Sequence, residues 1–190
     1  MKKIQWNFSV IVAILLCFEA TVLCFANENK GVADQEILLV IVDQSKETYG
    51  TEMKNQVYNQ LKSQVKGFIN EGNALNDSSS DNDAIAKAER PELLQLAKDK
   101  GAKQVLLVEI LPTKSDFSDI IFYKAIKSEA TLRVRLYDAT TKQYRLNETV
   151  SGIDTNKTYI PYTGVGKKVT VLEAVHKATD IVAQKVCLVG

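Results

Sequence analysis

The side chains that could carry out catalysis are few in this 190-residue chain, and they are widely spaced. His176 is the only histidine, and Cys187 is the one cysteine beyond the first 26 residues. Both fall on one predicted helix, where a rise of about 1.5 Å per residue separates them by roughly 16 Å, too far to share a proton. A single imidazole also excludes a multi-histidine metal site. We expect His176 to be structural or to face solvent.

Carboxylates leave one catalytic alternative open. Asp116 and Asp119 could be the paired acids of a polymer hydrolase, if a concave pocket held both and displaced their pKa values. The polar stretch 73–83 also carries several aspartates, but it lacks the central glycine and terminal glutamate of a calcium loop. We therefore predict no catalytic residue, no cofactor and no metal ion, and we keep the hydrolase as the alternative.

The first 26 residues have the order of a secretory signal peptide. Lys2 and Lys3 precede an apolar run over residues 8–18, and Cys24-Phe25-Ala26 ends the segment with small residues two apart. This order predicts export and cleavage after Ala26. Because the lysine-led start is typical of bacteria, we expect the mature chain in the periplasm or at the outer membrane.

Two other fates of this segment remain as alternatives. An uncleaved anchor over residues 11–25 would be interrupted by Glu19, and a membrane span needs about 20 predominantly apolar residues. A lipid anchor requires a small residue before the modified cysteine, whereas Cys17 and Cys24 both follow a leucine. A cleaved leader is the interpretation that we adopt.

Length and charge describe an ordinary globular domain after the leader. Removing 26 of 190 residues leaves 164, which we divide into a flexible leader at 27–35 and a single domain at 36–190. Two of the 24 basic and one of the 23 acidic residues leave with the signal peptide. The remaining 22 of each sign give no net charge to attract nucleic acid or anionic lipid. Cys187 then has no intramolecular partner, and we expect a small buried residue, with an intermolecular disulfide as the alternative.

Apolar patterns predict the elements of the amino-terminal half. Residues 37–42 and 105–110 are short apolar runs typical of strands that are covered on both faces. Residues 51–70 repeat apolar side chains every three or four positions, which predicts an amphipathic helix. Pro91 starts another helix and Gly101 ends it.

The carboxyl half changes to a two-residue period. Residues 130–137 alternate apolar and polar side chains, 138–142 form a turn, and 144–150 return as the hairpin partner. Thr170 and Glu173 have the spacing of a capping box at the start of the closing helix. We predict an α/β (α+β) fold: a mixed sheet of about five strands, helices packed mainly on one face, and a carboxyl-terminal β-hairpin followed by a helix. The inward stripe of that helix is Val171, Val175, Ala178, Val182 and Val186.

Aromatic and apolar side chains also occur where loops are expected. Exposed aromatic loops are often binding surfaces. The alternative is that these residues cover the sheet edge or extend a strand. The candidate interaction surface comprises Phe117, Ile120, Ile121, Phe122, Tyr123, Tyr159 and Tyr162.

The hairpin has a familiar sequence. Residues 128–141 (SEATLRVRLYDATT) resemble the strand, D-x-x-T turn and return strand of bacterial envelope proteins. These are the curli-secretion protein CsgG, the lipoprotein activators of penicillin-binding proteins and the amino-terminal domain of TolB. The helix, Gly101-Ala102 and strand before it are also similar, whereas Lys142 stands where a glycine usually follows the threonines.

The resemblance implies assembly or recognition in the cell envelope, by contact with another envelope protein or a cell-wall polymer. It carries no catalytic motif. Nucleic acid is not an expected partner, and membrane contact is expected only through the signal segment or a partner. Self-association as a structural subunit is a further alternative.

Overall fold

The computed structural model describes residues 37–68, 85–120, 123–159 and 166–189, with Ile120 described by its backbone alone. The predicted signal peptide, the flexible leader and the polar stretch 73–83 lie outside these residues. In the described residues, five strands form one mixed sheet. Three helices cover its two faces, which gives an α/β fold. This is the predicted fold class.

Two parallel strands form the most deeply buried part of the sheet. β1 (Ile37–Asp43) pairs with β2 (Gln104–Ile110), and Ile37 stands opposite Gln104. Their apolar residues are buried on both faces, because helices cover each side. The two continuous apolar runs therefore predicted these strands correctly.

Two of the three helices pack on one face of the sheet and one packs on the other. α1 (Gly50–Gln64) and α3 (Lys167–Val189) pack on one face, and the shorter α2 (Arg90–Lys100) packs on the other. Gly101 ends α2 with a φ of 65°, as predicted. We call the two sides of the sheet the α1/α3 face and the α2 face.

α1 is shorter than its apolar pattern predicted. The helix ends at Gln64, and Phe68, which the pattern placed on its apolar stripe, forms a bridge beside Ile37 instead. Gly67 takes a φ of 91° and accepts a hydrogen bond from the Ile37 N–H at 2.8 Å. A left-handed backbone therefore turns the chain from helix toward the sheet, which periodicity alone does not reveal.

A long hairpin forms the rest of the sheet. β4 (Tyr123–Asp138) pairs with β5 (Gln143–Thr158) from Lys124 to Asp138, and both strands are longer than predicted. The opposite flank of β4 is shared by β2 and β3 (Lys114–Ile120), which lie end to end.

A bulge separates β2 from β3. Ile110 stands opposite Leu132, and Lys114 stands opposite Glu129, so three residues face two across the ladder. Pro112 lies among the three, where the lack of an N–H costs no ladder hydrogen bond. The bulge lets one chain segment continue along β4 as a second strand.

α3 closes the domain on the α1/α3 face, and its predicted apolar stripe is buried. Its predicted start was wrong. The helix begins at Lys167, and the Thr170 hydroxyl donates to the Gly166 carbonyl at 2.9 Å from inside the first turn, so Thr170 is not a cap. Among the described residues, no helix combines the length and the hydropathy that a membrane span requires.

Candidate functional site

The candidate interaction surface lies mainly on strands. We use "distal sheet" for β3 with residues 123–129 of β4 and 153–158 of β5. Phe117 lies within β3, Tyr123 begins β4, and Tyr159 follows the last residue of β5. Ile121, Phe122 and Tyr162 lie outside the described residues, and the backbone of Ile120 ends β3. Whether this surface binds a partner remains a prediction.

The pairing register divides the aromatic residues between the two faces of the distal sheet. Phe117 stands opposite Ile126, and residue 120 stands opposite Tyr123. Because side chains alternate along a strand, Phe117 lies on the α1/α3 face and Tyr123 on the α2 face. Tyr159 joins Tyr123, with ring centroids 5.9 Å apart. The surface therefore consists of two aromatic positions rather than one continuous patch.

The exposure of these rings is high for aromatic side chains. Phe117 is 64% exposed and Tyr159 is 70% exposed. Neither ring belongs to either apolar core of the domain. Their contribution to the stability of the domain is therefore small compared with that of the core side chains.

The same register separates the two aspartates of the hydrolase alternative. Asp116 and Asp119 are three residues apart on β3, so their side chains point to opposite faces. Asp119 is exposed and forms an ion pair with Lys124 at 3.5 Å. The two carboxylates cannot flank one bond of a substrate. Within the described parts of the chain, no cluster of three or more metal-ligating side chains occurs.

His176 and Cys187 both lie on α3, far apart along the helix. His176 is partly exposed, with Nε2 3.8 Å from an Asp180 carboxylate oxygen. The predicted burial of Cys187 is wrong: its side chain is exposed, because it lies one position around the helix from the buried Val186. Partial desolvation nevertheless raises the pKa of the Cys187 thiol. The intermolecular disulfide remains a prediction.

A buried ion cluster on the α2 face was not predicted from the sequence. Glu109 is a fully buried carboxylate of β2, and Arg133 and Arg135 of β4 both bind it. Arg133 donates from Nε at 3.0 Å and from Nη2, and Arg135 donates from Nη2 at 2.9 Å. The Glu109 hydrogen bond, with its charge, raises the pKa of Arg133 despite desolvation. Two guanidinium groups thus neutralise a fully buried carboxylate.

Arg135 also extends the cluster beyond the sheet. Its Nη1 donates to the Ala88 carbonyl and its Nη2 to the Ala86 carbonyl, both at 2.6 Å. A glutamate inside an apolar run, with arginines at alternate positions of another strand, was the available signal. That signal could be used only if β2 and β4 were known to be neighbours.

The hairpin turn gives a physical reason for the aspartate of its D-x-x-T sequence. Asp138 Oδ1 accepts the backbone N–H groups of Thr140 and Thr141 at 2.8 and 3.0 Å, and Oδ2 accepts from Arg145 at 2.8 Å. Burial alone would raise the pKa of Asp138, but these donors outweigh it and hold the pKa below its usual value. Lys142 closes the turn with a φ of 58°, the left-handed region that favours glycine.

A second polar group lies where the parallel strands end. Glu47 accepts from Lys167 at 2.8 Å and from Thr113 at 2.6 Å, and these bonds lower its pKa. Nearby, burial and then the charge of Glu47 raise the pKa of Tyr49 to about 12. The carboxyl ends of parallel strands are frequent ligand sites. Here Glu47 ties the start of α3 to the segments that follow β1 and β2.

Comparisons with known proteins identify the fold. No family model and no curated protein matches the chain. The solved structure of hypothetical protein CT253 from Chlamydia trachomatis is 13% identical, with a TM-score of 0.51 over 81% of this chain and 99% of that one. Lipoprotein GNA1162 from Neisseria meningitidis is 16% identical, with a TM-score of 0.44 over 80% and 99% of the two chains. At these identities, the CT253 match shows a shared fold alone.

TolB from Acinetobacter baumannii is also among the similar structures. It is 15% identical, with a TM-score of 0.42 over 82% of this chain and 28% of TolB. The proteins with similar structures thus include lipoproteins and TolB. The envelope resemblance that the hairpin predicts stays a prediction. Similarity to CsgG remains a prediction.

Proposed function

We propose that this chain is an exported, non-enzymatic protein of the bacterial cell envelope, with a binding or assembly role in the periplasm or at the outer membrane. The pattern of residues 1–26 supports export. The observation that carries the binding role is the pair of exposed aromatic positions, Phe117 and Tyr159, on the distal sheet. Large exposed aromatic rings outside the core are typical anchors for a partner.

The proposed partner is another envelope protein or a cell-wall polymer. Phe117 and Tyr159 lie on opposite faces, so a partner that contacts both must pass around an edge or the end of the distal sheet. β3 and β5 flank this part of β4, and their outer edges offer backbone groups to an extended segment.

The test compares matched variants in crosslinking pull-downs from intact envelopes. Phe117→Ser and Tyr159→Ser remove the two exposed rings, and Leu188→Ser is the control, since Leu188 is an exposed apolar residue near the end of α3. We expect partners, or sedimented cell wall, to be recovered with the wild type and Leu188→Ser but lost with the double aromatic variant. Equal recovery with all three would contradict the proposed surface.

Export has a separate test. Mass spectrometry of the protein from fractionated cells should find a mature amino terminus at Asn27 in the periplasmic or outer-membrane fraction. An intact chain that begins at residue 1 in the cytosolic fraction would contradict the proposal.

The second candidate function is a self-associating structural subunit. β5 keeps one register with β4 from Leu146 to Thr158, and among the described strands it pairs only with β4. A long regular edge is suited to pairing with another strand. Sedimentation velocity decides between the candidates: a concentration-dependent oligomer supports self-association, and a single monomeric species contradicts it.

A further inference from the structure

Residues 85–89, which we call the strap, lie on the α2 face immediately before α2. Ala86 and Ala88 of the strap are buried in the same core as Leu38 and Val40 of β1. The Ala88 N–H donates to the Ile85 carbonyl at 3.0 Å, so the strap forms its own short turn. Ile85 is partly buried against the same core, so the apolar contact of the strap consists of one larger side chain and two methyl groups.

One side chain connects the strap to the sheet through hydrogen bonds. Arg135, whose side chain is 12% exposed, donates to the carbonyls of both buried alanines. The same guanidinium also donates to the Glu109 carboxylate within the sheet. The contact uses two backbone acceptors, so its strength does not depend on the identity of the strap side chains.

α2 has attachments of its own. Leu93 and Ala97 are fully buried against the sheet, and the Arg90 guanidinium lies over the Tyr144 ring at 5.5 Å from the centroid. Glu89 and Glu92 form a capping box at the start of the helix. The end of the strap that meets α2 is therefore fixed independently of Arg135.

We infer that the strap is a releasable cover of the α2 face, closed by Arg135, with Glu109 as the anchor that orients it. Two observations indicate release rather than permanent packing. Among the residues that the structure describes, the buried Nε–H of Arg135 has no hydrogen-bond partner, so the closed state leaves a donor unsatisfied there. The apolar contact of the strap is limited to Ile85, Ala86 and Ala88, whereas α2 has buried contacts of its own and stays in place when the strap opens. Opening uncovers Arg135 beside Arg133, on the face of the sheet that also carries Tyr123 and Tyr159.

Native-state hydrogen exchange on the full chain tests this inference. In the wild type, the Ala88 amide should exchange at least about tenfold faster than the Leu93 and Ala97 amides, with little dependence on denaturant, because it opens locally. Arg135→Met should accelerate the Ala88 amide about ten times more than it accelerates the amides of α1 and α3, which respond only to the loss of global stability caused by removing one partner of Glu109. Arg133→Met is the control, since Arg133 binds Glu109 without contacting the strap, and it should leave the Ala88 amide unchanged.

A second variant keeps the test decisive if Arg135→Met does not fold. Arg135→Lys retains the charge beside Glu109 but cannot bridge two carbonyls with a planar fork, so it should accelerate Ala88 in the same selective way. The inference would be overturned if the Ala88 amide exchanged only through global unfolding. It would also be overturned if amides of α1, α3 and the strap were accelerated equally in the folded variant.

Discussion

Gly152 of β5 lies so close to Ala174 of α3 that a Cβ atom on residue 152 would stand 2.1 Å from the Ala174 carbonyl oxygen. The same atom would be 2.5 Å from the backbone nitrogen of Ala178. Both neighbours are helix backbone, which cannot rotate away as a side chain can. The absence of a side chain at position 152 therefore sets how closely α3 packs on the sheet.

We predict that Gly152→Ala destabilises the domain by about 3 kcal/mol or more, because α3 must shift outward to admit the methyl group. Chemical denaturation measures the free energy of unfolding. Gly101→Ala is the control, since nothing lies within 4 Å of its added Cβ and only the left-handed backbone opposes it. The free energy of unfolding of Gly101→Ala should fall by about 1–2 kcal/mol. A loss for Gly152→Ala no larger than for Gly101→Ala would refute the close-packing argument.

The hairpin turn offers a stabilising substitution. Lys142 holds a φ of 58°, which costs an ordinary residue about 1–2 kcal/mol. Lys142→Gly should raise the free energy of unfolding by up to about 1 kcal/mol, since the relief of strain exceeds the added flexibility of glycine in the unfolded chain. Thermal unfolding would measure the gain.

Lys142→Ala is the matched control for this gain, because alanine removes the lysine side chain but keeps a Cβ in the strained region. It should show no gain. Equal stabilisation by glycine and alanine would mean that the lysine side chain, rather than its backbone, carries the cost.

Asp138 predicts an acid-dependent contribution to stability. Its pKa in the folded state lies below the unfolded value of about 3.9, so its contribution is complete above that value and is lost as the pH falls through the folded pKa. At neutral pH, Asp138→Asn should cost about 1–3 kcal/mol, because Arg145 loses its charged partner at a buried site.

The measurement is the difference in unfolding free energy between wild type and Asp138→Asn from pH 7 downward. We expect a constant difference above about pH 5 that narrows in acid. Glu148→Gln serves as the control, because the Glu148 pair with Lys185 is exposed and should contribute below about 1 kcal/mol. A difference that stayed constant through the acid range would show that the charge of Asp138 is not what stabilises the turn.

The elements with strong local signals were predictable from the sequence. β1 and β2 are continuous apolar runs, β4 alternates, and α2 begins after Glu89 with Pro91 in its first turn and ends before Gly101. Each of these signals depends on residues within one element. Where the local pattern and the local hydrogen bonds agree, the fold follows from the sequence.

β3 had no such signal. Its residues are polar apart from Phe117 and the terminal Ile120, which are three positions apart, so no two-residue apolar period marks it as a strand. It forms because β4 leaves a flank unpaired after β2 ends, and the bulge around Pro112 carries the chain along that flank. A strand that depends on its neighbour for hydrogen bonds cannot be read from its own residues.

The polar clusters were hidden for a related reason. Glu109 gives no indication of a buried ion pair until β4 is known to lie beside β2 in a register that brings Arg133 and Arg135 to it. The exposure of Cys187, in contrast, follows from the apolar stripe of α3 that the sequence did reveal, because Cys187 is the neighbour of Val186 and lies off that stripe. Pairing between distant segments, rather than residue type, produced the ion cluster.

β4 runs without interruption for 16 residues, about 50 Å at the usual rise of an extended chain. Leu132, Val134 and Leu136 at one end are locked into the core, while Tyr123 starts the other end beside an exposed ring. One continuous strand therefore joins the core, where substitutions would destabilise the fold, to a stretch outside the core where side chains can be replaced at less cost. Under the proposed binding role, substitutions at the far end would change which partner is bound without destabilising the fold, since core and proposed surface occupy separate stretches of one strand.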